Sequence, residues 1–196
     1  MSNCTSGYVL PSVHWTVLEA SVLTVERVKK RLSQRHSNEP VPDDGKPAAP
    51  VPMVLLVHGG PWARDGYGFN REHQMLANRG YAVLAVNFRG STGFGKDFTN
   101  AGNGEWAGKM HDDLIDAVDW AVKQGVTSKD QVAIMGGSYG GYATMVGVTE
   151  FPDTFAAAVN LFGMVNFETF FAQSEPWMAV ISTNEYGDPK TQAQLL

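Results

Sequence analysis

The chain has 196 residues, of which 43% are hydrophobic, and carries a net charge of −5; this length and composition indicate one domain with a substantial core. The acidic balance excludes the basic surface that a nucleic-acid partner requires, and no stretch approaches the roughly 20 apolar residues of a membrane span. The single cysteine, Cys4, excludes an internal disulfide framework, and because no signal peptide is visible we expect a cytoplasmic protein.

Residues 1–50 are predicted to be an N-terminal segment and a proline-rich linker ahead of the folded domain. Five prolines lie between positions 37 and 52, which is typical of an extended linker or a long loop. Upstream, apolar residues recur at helical spacing but are mostly β-branched, so a helix and a strand both remain open. These residues are Leu18, Val22, Val25, Val28 and Leu32. The domain itself is expected to begin at residue 51.

From residue 51 onward, short apolar runs alternate with helical patterns. The predicted strands are residues 53–57, 81–87, 132–135 and 155–161. The first of them is apolar throughout, as in a strand that is covered on both faces. Three helices are predicted: residues 70–79, a segment that includes Leu114 and Val122, and residues 139–149. Gly80 ends the first of them and Gly125 ends the second. This alternation favours an α/β fold with a doubly wound, mostly parallel sheet.

The most informative motif is Gly-Gly-Ser-Tyr-Gly at residues 136–140, directly after the third predicted strand. A G-x-S-x-G sequence between a strand and a helix is typical of a nucleophile elbow, in which glycines permit a tight, strained turn around the serine. Ser138 is therefore the predicted nucleophile. A serine hydroxyl needs a base to accept its proton. All five histidines precede Ser138, whereas this fold orders serine, acid and histidine along the chain.

Two segments are predicted to supply the oxyanion hole. The backbone N–H of Tyr139 follows the nucleophile at the start of a helix, where such groups lack a helical partner. The second donor is expected from the loop after the first strand, which is His-Gly-Gly-Pro-Trp at residues 58–62. The His58 side chain is either that donor or a structural group, and the sequence leaves both open. Because His58 precedes the nucleophile on the oxyanion side, it is not the preferred base.

Three further clusters have both a structural and a functional interpretation. His111, Asp112 and Asp113 are metal-binding residue types, but acidic residues in a first helical turn are the usual response to the helix dipole, so we expect neither a metal nor another cofactor. The glycine-rich loop at 89–95 lacks a phosphate-binding pattern and is expected to pack beside the elbow. Aromatic residues after the fourth strand form either a helix over the core or an apolar substrate pocket. They are Phe167, Phe170, Phe171 and Trp177.

Three glycine motifs together resemble the prolyl oligopeptidase family of serine peptidases, most closely its acylaminoacyl-peptidase and dipeptidyl-aminopeptidase branch. They are Val-His-Gly-Gly-Pro at residues 57–61, Asn-Phe-Arg-Gly-Ser-Thr-Gly-Phe-Gly at 87–95 and Gly-Gly-Ser-Tyr-Gly-Gly-Tyr at 136–142. The resemblance covers residues 51–196. It implies an α/β-hydrolase catalytic domain, normally preceded by a β-propeller that restricts substrates to peptides. It also implies hydrolysis of peptide or acyl-aminoacyl bonds through a serine acyl-enzyme.

The resemblance also implies roles for individual residues. Ser138 matches the nucleophile, and the Tyr139 amide matches an oxyanion donor. His58 stands where several relatives carry a tyrosine whose hydroxyl completes the oxyanion hole. Met164, with the aromatic residues between 167 and 171, falls where relatives line the pocket for the residue that precedes the scissile bond.

The family's catalytic Asp and His lie further along the chain, after strands that these 196 residues do not reach. We therefore expect a partial α/β-hydrolase domain without its C-terminal strands, which is inactive on its own. Its strand at residues 155–161 is expected to be an open edge that promotes self-association. A carboxylesterase on the same fold uses the same motifs, and a catalytically dead truncated product is the third alternative.

Overall fold

A computed structural model describes residues 49–66, 68–186 and 190–191. The ambiguous segment around residues 18–32 and nearly all of the predicted linker lie outside the described residues. Within the described part, four strands and six helices follow one another. The strands are β1 (Met53–Val57), β2 (Ala82–Ala85), β3 (Val132–Gly137) and β4 (Ala157–Leu161). The helices are α1 (Arg71–Ala77), α2 (Lys96–Asn100), α3 (Lys109–Lys123), α4 (Tyr139–Glu150), α5 (Phe167–Gln173) and α6 (Pro176–Tyr186).

The strands form one parallel sheet in the order β2-β1-β3-β4, which confirms the predicted α/β architecture. Met53 of β1 is paired with Ala82 of β2 on one side and with Val132 of β3 on the other. Every residue of β1 is buried. The uniformly apolar sequence of this strand follows from its position, because a central parallel strand meets other side chains on both of its faces.

Successive side chains of β1 enter two different cores. Leu55 belongs to the larger core, together with Leu114 of α3 and Tyr139 of α4. Leu56 belongs to the smaller core, together with Leu76 of α1. Helices therefore cover both faces of the sheet, as in a doubly wound fold. Within the described residues, none of these helices is long and apolar enough to cross a membrane.

Polar side chains define the ends of α1 and β2, which are both shorter than predicted. Asn70 caps α1, because its Oδ1 accepts hydrogen bonds from the N–H groups of Glu72 and His73 at 2.9 and 3.1 Å. Beyond β2, Asn87 bonds the backbone of Asp65 through its side-chain amide. The last residues of the predicted strand 81–87 therefore belong to a loop, and Asn87 of this loop binds the segment between β1 and α1.

β4 is one of the two edge strands of the described sheet, since within the described residues it pairs with β3 alone. The burial of β4 contrasts with that of β1, because all of its residues except Leu161 are exposed. Exposed apolar side chains continue beyond it, with Phe162 at 83% and Val165 at 65% of their full exposure. This part of the chain therefore presents an open strand edge next to apolar surface.

Candidate active site

Ser138 forms the turn between β3 and α4 in a strained conformation. Its φ and ψ angles are +57° and −119°, a region that residues with a side chain rarely adopt. The turn is held by two hydrogen bonds: the Ser138 N–H donates to the Leu161 carbonyl at 3.1 Å, and the Ser138 carbonyl accepts from the Tyr142 N–H at 3.0 Å. The serine is partly exposed. Backbone strain of this kind clusters at functional sites, and it is the local geometry that the G-x-S-x-G sequence predicts.

The glycines around Ser138 are required by close backbone contacts. A Cβ added to Gly136 would stand 2.5 Å from backbone atoms of Gly140. A Cβ added to Gly140 would collide with the carbonyl oxygen of Val57 at the end of β1. The elbow is therefore packed against the neighbouring strand with no room for a side chain at these positions, which explains why both are glycine.

The loop after β1 lies directly against this turn. A Cβ added to Gly59 would stand 3.1 Å from the carbonyl oxygen of Gly137 and 3.4 Å from Cβ of Ser138. Tyr139 is the first residue of α4, so its N–H has no acceptor within the helix. The structure thus brings together, next to Ser138, the two segments that the sequence predicts as sources of oxyanion donors.

The His58 side chain is held by groups other than Ser138. Its Nδ1 lies 2.8 Å from the Gly59 carbonyl oxygen, and its Nε2 lies 3.0 Å from Oγ of Ser91. Its ring also stacks on Phe88, with 4.5 Å between centroids. Both ring nitrogens are therefore engaged, which favours the structural interpretation of this side chain. These contacts give no support to His58 as the base.

Asp65, which no sequence motif singles out, joins the same loop to the segment after β2. Its N–H donates to Oδ1 of Asn87 at 2.8 Å, and Nδ2 of Asn87 donates to the Asp65 carbonyl at 3.1 Å. Burial raises the pKa of the Asp65 carboxyl, and the nearby His58 and His73 oppose that rise. Burial lowers the pKa of His73. Asp65 carries no sequence signal of its own, because a single acid in a loop has no periodicity.

Asp113 has a different role from the one predicted. Its carboxylate is buried and forms an ion pair with Arg89 in the glycine-rich loop, at 2.6 Å between Nη2 and Oδ1. The interpretation as an ordinary first-turn acid is therefore wrong for Asp113, although Asp112 does lie in the first turn of α3. A sequence signal was present: Asp113 lies three residues after Met110 and four before Ala117, on the buried stripe of the helix.

His111 belongs to the core of the protein. Its side chain is 1% exposed, and its ring stacks on Phe151 at 5.0 Å. Burial lowers its pKa to about 4, so the imidazole is neutral at neutral pH. Its Nε2 has no hydrogen-bond partner among the described residues. These contacts identify His111 as a core residue of α3.

The predicted pocket residues divide into two groups. Phe167 is buried and packs against Trp106 and Tyr142, with ring centroids 5.8 and 5.5 Å apart. Trp106 in turn packs against Tyr139 at 4.6 Å. Phe167 is therefore both a core residue and a neighbour of the helix that follows the nucleophile. Burial raises the pKa of Tyr142 to about 12, so its hydroxyl stays protonated.

The remaining candidates are more exposed. Phe170 and Phe171 contact each other edge to face at 5.7 Å, and both are half-buried, as is Met164. Trp177 in α6 is 62% exposed. The structure thus places Phe167 close to the elbow, and the pocket role of all five residues stays a prediction.

Comparison with known proteins gives a consistent result. Residues 67–195 match the family described as "Prolyl oligopeptidase family". The chain is 68% identical over 154 residues to "Dipeptidyl aminopeptidase BIII" of Pseudoxanthomonas mexicana, covering 77% of this chain and 22% of that protein. It is 33% identical over 125 residues to the "Acylamino-acid-releasing enzyme" of Homo sapiens, covering 64% of this chain and 17% of that protein.

Solved structures agree with the sequence relatives. The uncomplexed acylaminoacyl peptidase of Pyrococcus horikoshii superposes with a TM-score of 0.70 at 28% identity, covering 76% of this chain and 25% of that one. An acylaminoacyl peptidase in complex with Z-Gly-Gly-Phe-chloromethyl ketone gives a TM-score of 0.69 at 28% identity, covering 76% and 24%. The chain therefore spans about a quarter or less of the relatives that it matches.

Proposed function

The chain belongs to the prolyl oligopeptidase family of serine peptidases, and from that premise we propose that Ser138 is the nucleophile of a peptidase that hydrolyses peptide or acyl-aminoacyl bonds. The observation that carries the proposal is the strained turn at Ser138, where φ is +57° and α4 begins at the next residue. A turn of this kind lifts the hydroxyl out of the sheet and points helix N–H groups at the same place.

The proposed reaction proceeds through an acyl-enzyme. Oγ of Ser138 attacks the scissile carbonyl carbon while its proton passes to a base. The negative charge that develops on the carbonyl oxygen is stabilised by the N–H of Tyr139 and by an N–H of the Gly59–Gly60 loop. The amine leaves with the proton from the base, and water then hydrolyses the ester on Ser138. Of the three histidines among the described residues, His58 is engaged by Gly59 and Ser91 and His111 lies in the core, so neither of these two is proposed as the base.

The relatives support peptides as substrates. The bacterial relative at 68% identity is named a dipeptidyl aminopeptidase, which favours release of dipeptides from a free N-terminus. The acylamino-acid-releasing relatives are between 31% and 34% identical. Because these identities are lower, they are weaker support for a substrate with a blocked N-terminus. In either case the apolar residues Met164, Phe167, Phe170 and Phe171 are proposed to line the pocket for the side chain before the scissile bond.

A chimera tests the proposal in a protein that also supplies the rest of a catalytic domain. Residues 51–196 replace the matching segment of the Pseudoxanthomonas dipeptidyl aminopeptidase, and the chimera is assayed with a dipeptidyl anilide, an N-acetyl-amino-acid anilide and a simple aryl ester. We expect dipeptidyl anilide hydrolysis that Ser138→Ala lowers by about 10⁴-fold or more. Hydrolysis of the ester alone would favour the carboxylesterase alternative, and activity that survives Ser138→Ala would contradict the proposal.

Labelling with a fluorophosphonate tests whether the nucleophile elbow alone makes Ser138 reactive or whether a base is also needed. The chimera is expected to be labelled at Ser138, whereas the 196-residue polypeptide is expected to be labelled slowly, because an unactivated serine hydroxyl is a weak nucleophile. Ser138→Ala in the chimera is the control for labelling elsewhere. Equal labelling rates for the two proteins would mean that a group within the 196 residues serves as the base.

A further inference from the structure

Ser91 lies in the glycine-rich loop after β2 and was not among the predicted site residues. It is fully buried, with 0% of its surface exposed. Its Oγ lies 3.0 Å from Nε2 of His58, in the loop after β1. A buried hydroxyl needs a hydrogen-bond partner, and here that partner belongs to the loop that lies against the nucleophile.

The two contacts of the His58 ring determine where its proton lies. A carbonyl oxygen can only accept a hydrogen bond. At 2.8 Å from the Gly59 carbonyl, Nδ1 must therefore carry the proton. In the neutral imidazole, Nε2 is then an acceptor, and the Ser91 hydroxyl must donate to it. The structure thus specifies one tautomer, with Ser91 as the donor that favours it.

The Gly59 carbonyl also fixes the direction of a backbone N–H. The Gly59–Gly60 peptide is trans, so its C=O and the N–H of Gly60 point in opposite directions within one plane. The hydrogen bond from Nδ1 of His58 fixes the direction of the Gly59 carbonyl. Because the peptide is planar, the same bond fixes the Gly60 N–H, which points away from the His58 ring. Because Gly59 lies against Ser138, the orientation of this peptide bears directly on the oxyanion site.

The backbone of Ser91 is itself held in place by two hydrogen bonds. The N–H of Ser91 donates to the Phe88 carbonyl at 3.0 Å, and Oγ1 of Thr99 donates to the Ser91 carbonyl at 3.2 Å. The Phe88 ring stacks on His58 at 4.5 Å and packs against Tyr139 at 5.1 Å. The loop after β2 therefore fixes both the serine and the plane of the ring.

We propose that Ser91 is a positioning residue of this active site: its hydroxyl donates to Nε2 of His58, keeps the His58 proton on Nδ1, and so holds the Gly59–Gly60 peptide in the orientation that presents the Gly60 N–H to an oxyanion. The inference rests on the proposed function for its catalytic consequence. The hydrogen-bond arrangement itself does not depend on activity.

Nuclear magnetic resonance of the 196-residue chain tests the arrangement directly. Long-range ¹⁵N–¹H correlations of ¹⁵N-labelled histidine report which ring nitrogen is protonated, and we expect the Nδ1–H tautomer for His58. Ser91→Ala is expected to shift His58 toward the Nε2–H tautomer. The matched control is Thr127→Val, which removes another buried hydroxyl that does not contact His58. An Nε2–H tautomer in the unsubstituted chain, or the same tautomer in Ser91→Ala, would overturn the proposal.

Kinetics of the chimera test the catalytic consequence. Ser91→Ala is expected to lower kcat by roughly 10-fold with little change in KM, because a misdirected donor weakens transition-state binding. Ser91→Cys keeps the shape of the side chain with a slightly larger atom and a weaker donor. Its kcat is expected to fall between those of the unsubstituted chimera and Ser91→Ala, and it replaces Ser91→Ala if that variant does not fold. An unchanged kcat in a folded variant with an altered tautomer would refute the positioning role. An inactive unsubstituted chimera would instead count against the proposed function, and the tautomer measurement would still decide the role of Ser91.

Discussion

Asp113 holds both the side chain and the backbone of Arg89. Nε and Nη2 of Arg89 donate to Oδ2 and Oδ1 of Asp113 at 2.9 and 2.6 Å, and the Arg89 N–H donates to Oδ2 at 2.9 Å. These bonds raise the pKa of Arg89 above its ordinary value, so the guanidinium stays charged at every working pH. The pair thereby fastens the loop that carries Ser91 to α3.

Replacing Asp113 is predicted to destabilise the protein strongly. Asp113→Ala leaves a buried guanidinium without its carboxylate, and breaking a buried pair from one side typically costs about 3–5 kcal/mol. The measurement is the free energy of unfolding in urea. The control is Glu105→Ala, which breaks the exposed Glu105–Lys109 pair of 2.7 Å and is expected to cost about 1 kcal/mol or less. Equal losses for the two variants would contradict the prediction.

The sequence predicted the fold and the elbow because both depend on local patterns. A short apolar run such as residues 53–57 is typical of a buried parallel strand. The glycines around Ser138 are required by the tight turn of a nucleophile elbow. The contacts of Ser91 and Asp113 could not be read in this way. Each joins elements that are far apart in the chain, so the partner becomes visible only when β1, β2 and α3 are placed together.

The stability of the protein is predicted to fall as the pH falls below about 6.5, through the buried imidazole of His111. Its pKa is about 4 in the folded chain, below the ordinary value, so the unfolded chain binds the proton more tightly. This contribution to stability is complete above pH 6.5 and is lost toward pH 4, at up to about 1.4 kcal/mol per pH unit. Urea unfolding at several pH values measures the slope.

The variant His111→Phe isolates that contribution. Phenylalanine keeps an aromatic ring for the stack on Phe151 and cannot be protonated. We expect a smaller loss of stability between pH 7 and pH 5 than in the unsubstituted chain, with the remainder coming from groups such as His73, whose pKa burial also lowers. If the two proteins lose stability in parallel, His111 is accessible to protons in the folded state and the prediction is wrong.

Two glycine substitutions are predicted to differ sharply in their effect. Gly140→Ala places a Cβ against the Val57 carbonyl oxygen, so the elbow and β1 must separate, and we expect a loss of about 3 kcal/mol or more. In Gly66→Ala no atom of the described residues lies within 4 Å of the new Cβ, and the change is expected to be neutral or to stabilise by up to about 1 kcal/mol. Thermal unfolding of the two variants checks the contrast, which similar melting temperatures would disprove.

The last prediction is that the 196-residue polypeptide self-associates through β4. Within the described residues β4 pairs on one side only, so its outer N–H and C=O groups are open to another chain. The apolar residues Val159 and Phe162, 46% and 83% exposed, add surface that association would bury. Size-exclusion chromatography with light scattering is expected to show oligomers whose proportion rises with protein concentration.

A charged residue on that edge distinguishes strand pairing from non-specific association through apolar surface. Val159→Lys is expected to shift the polypeptide toward the monomer, because an edge lysine opposes strand-to-strand association. The matched control is Met75→Lys, where the methionine is 43% exposed and lies on the helix α1. If both variants reduce association equally, the cause is apolar surface in general. A sharp monomer peak for the unsubstituted polypeptide at all concentrations would show that the edge is covered in solution and would refute the prediction.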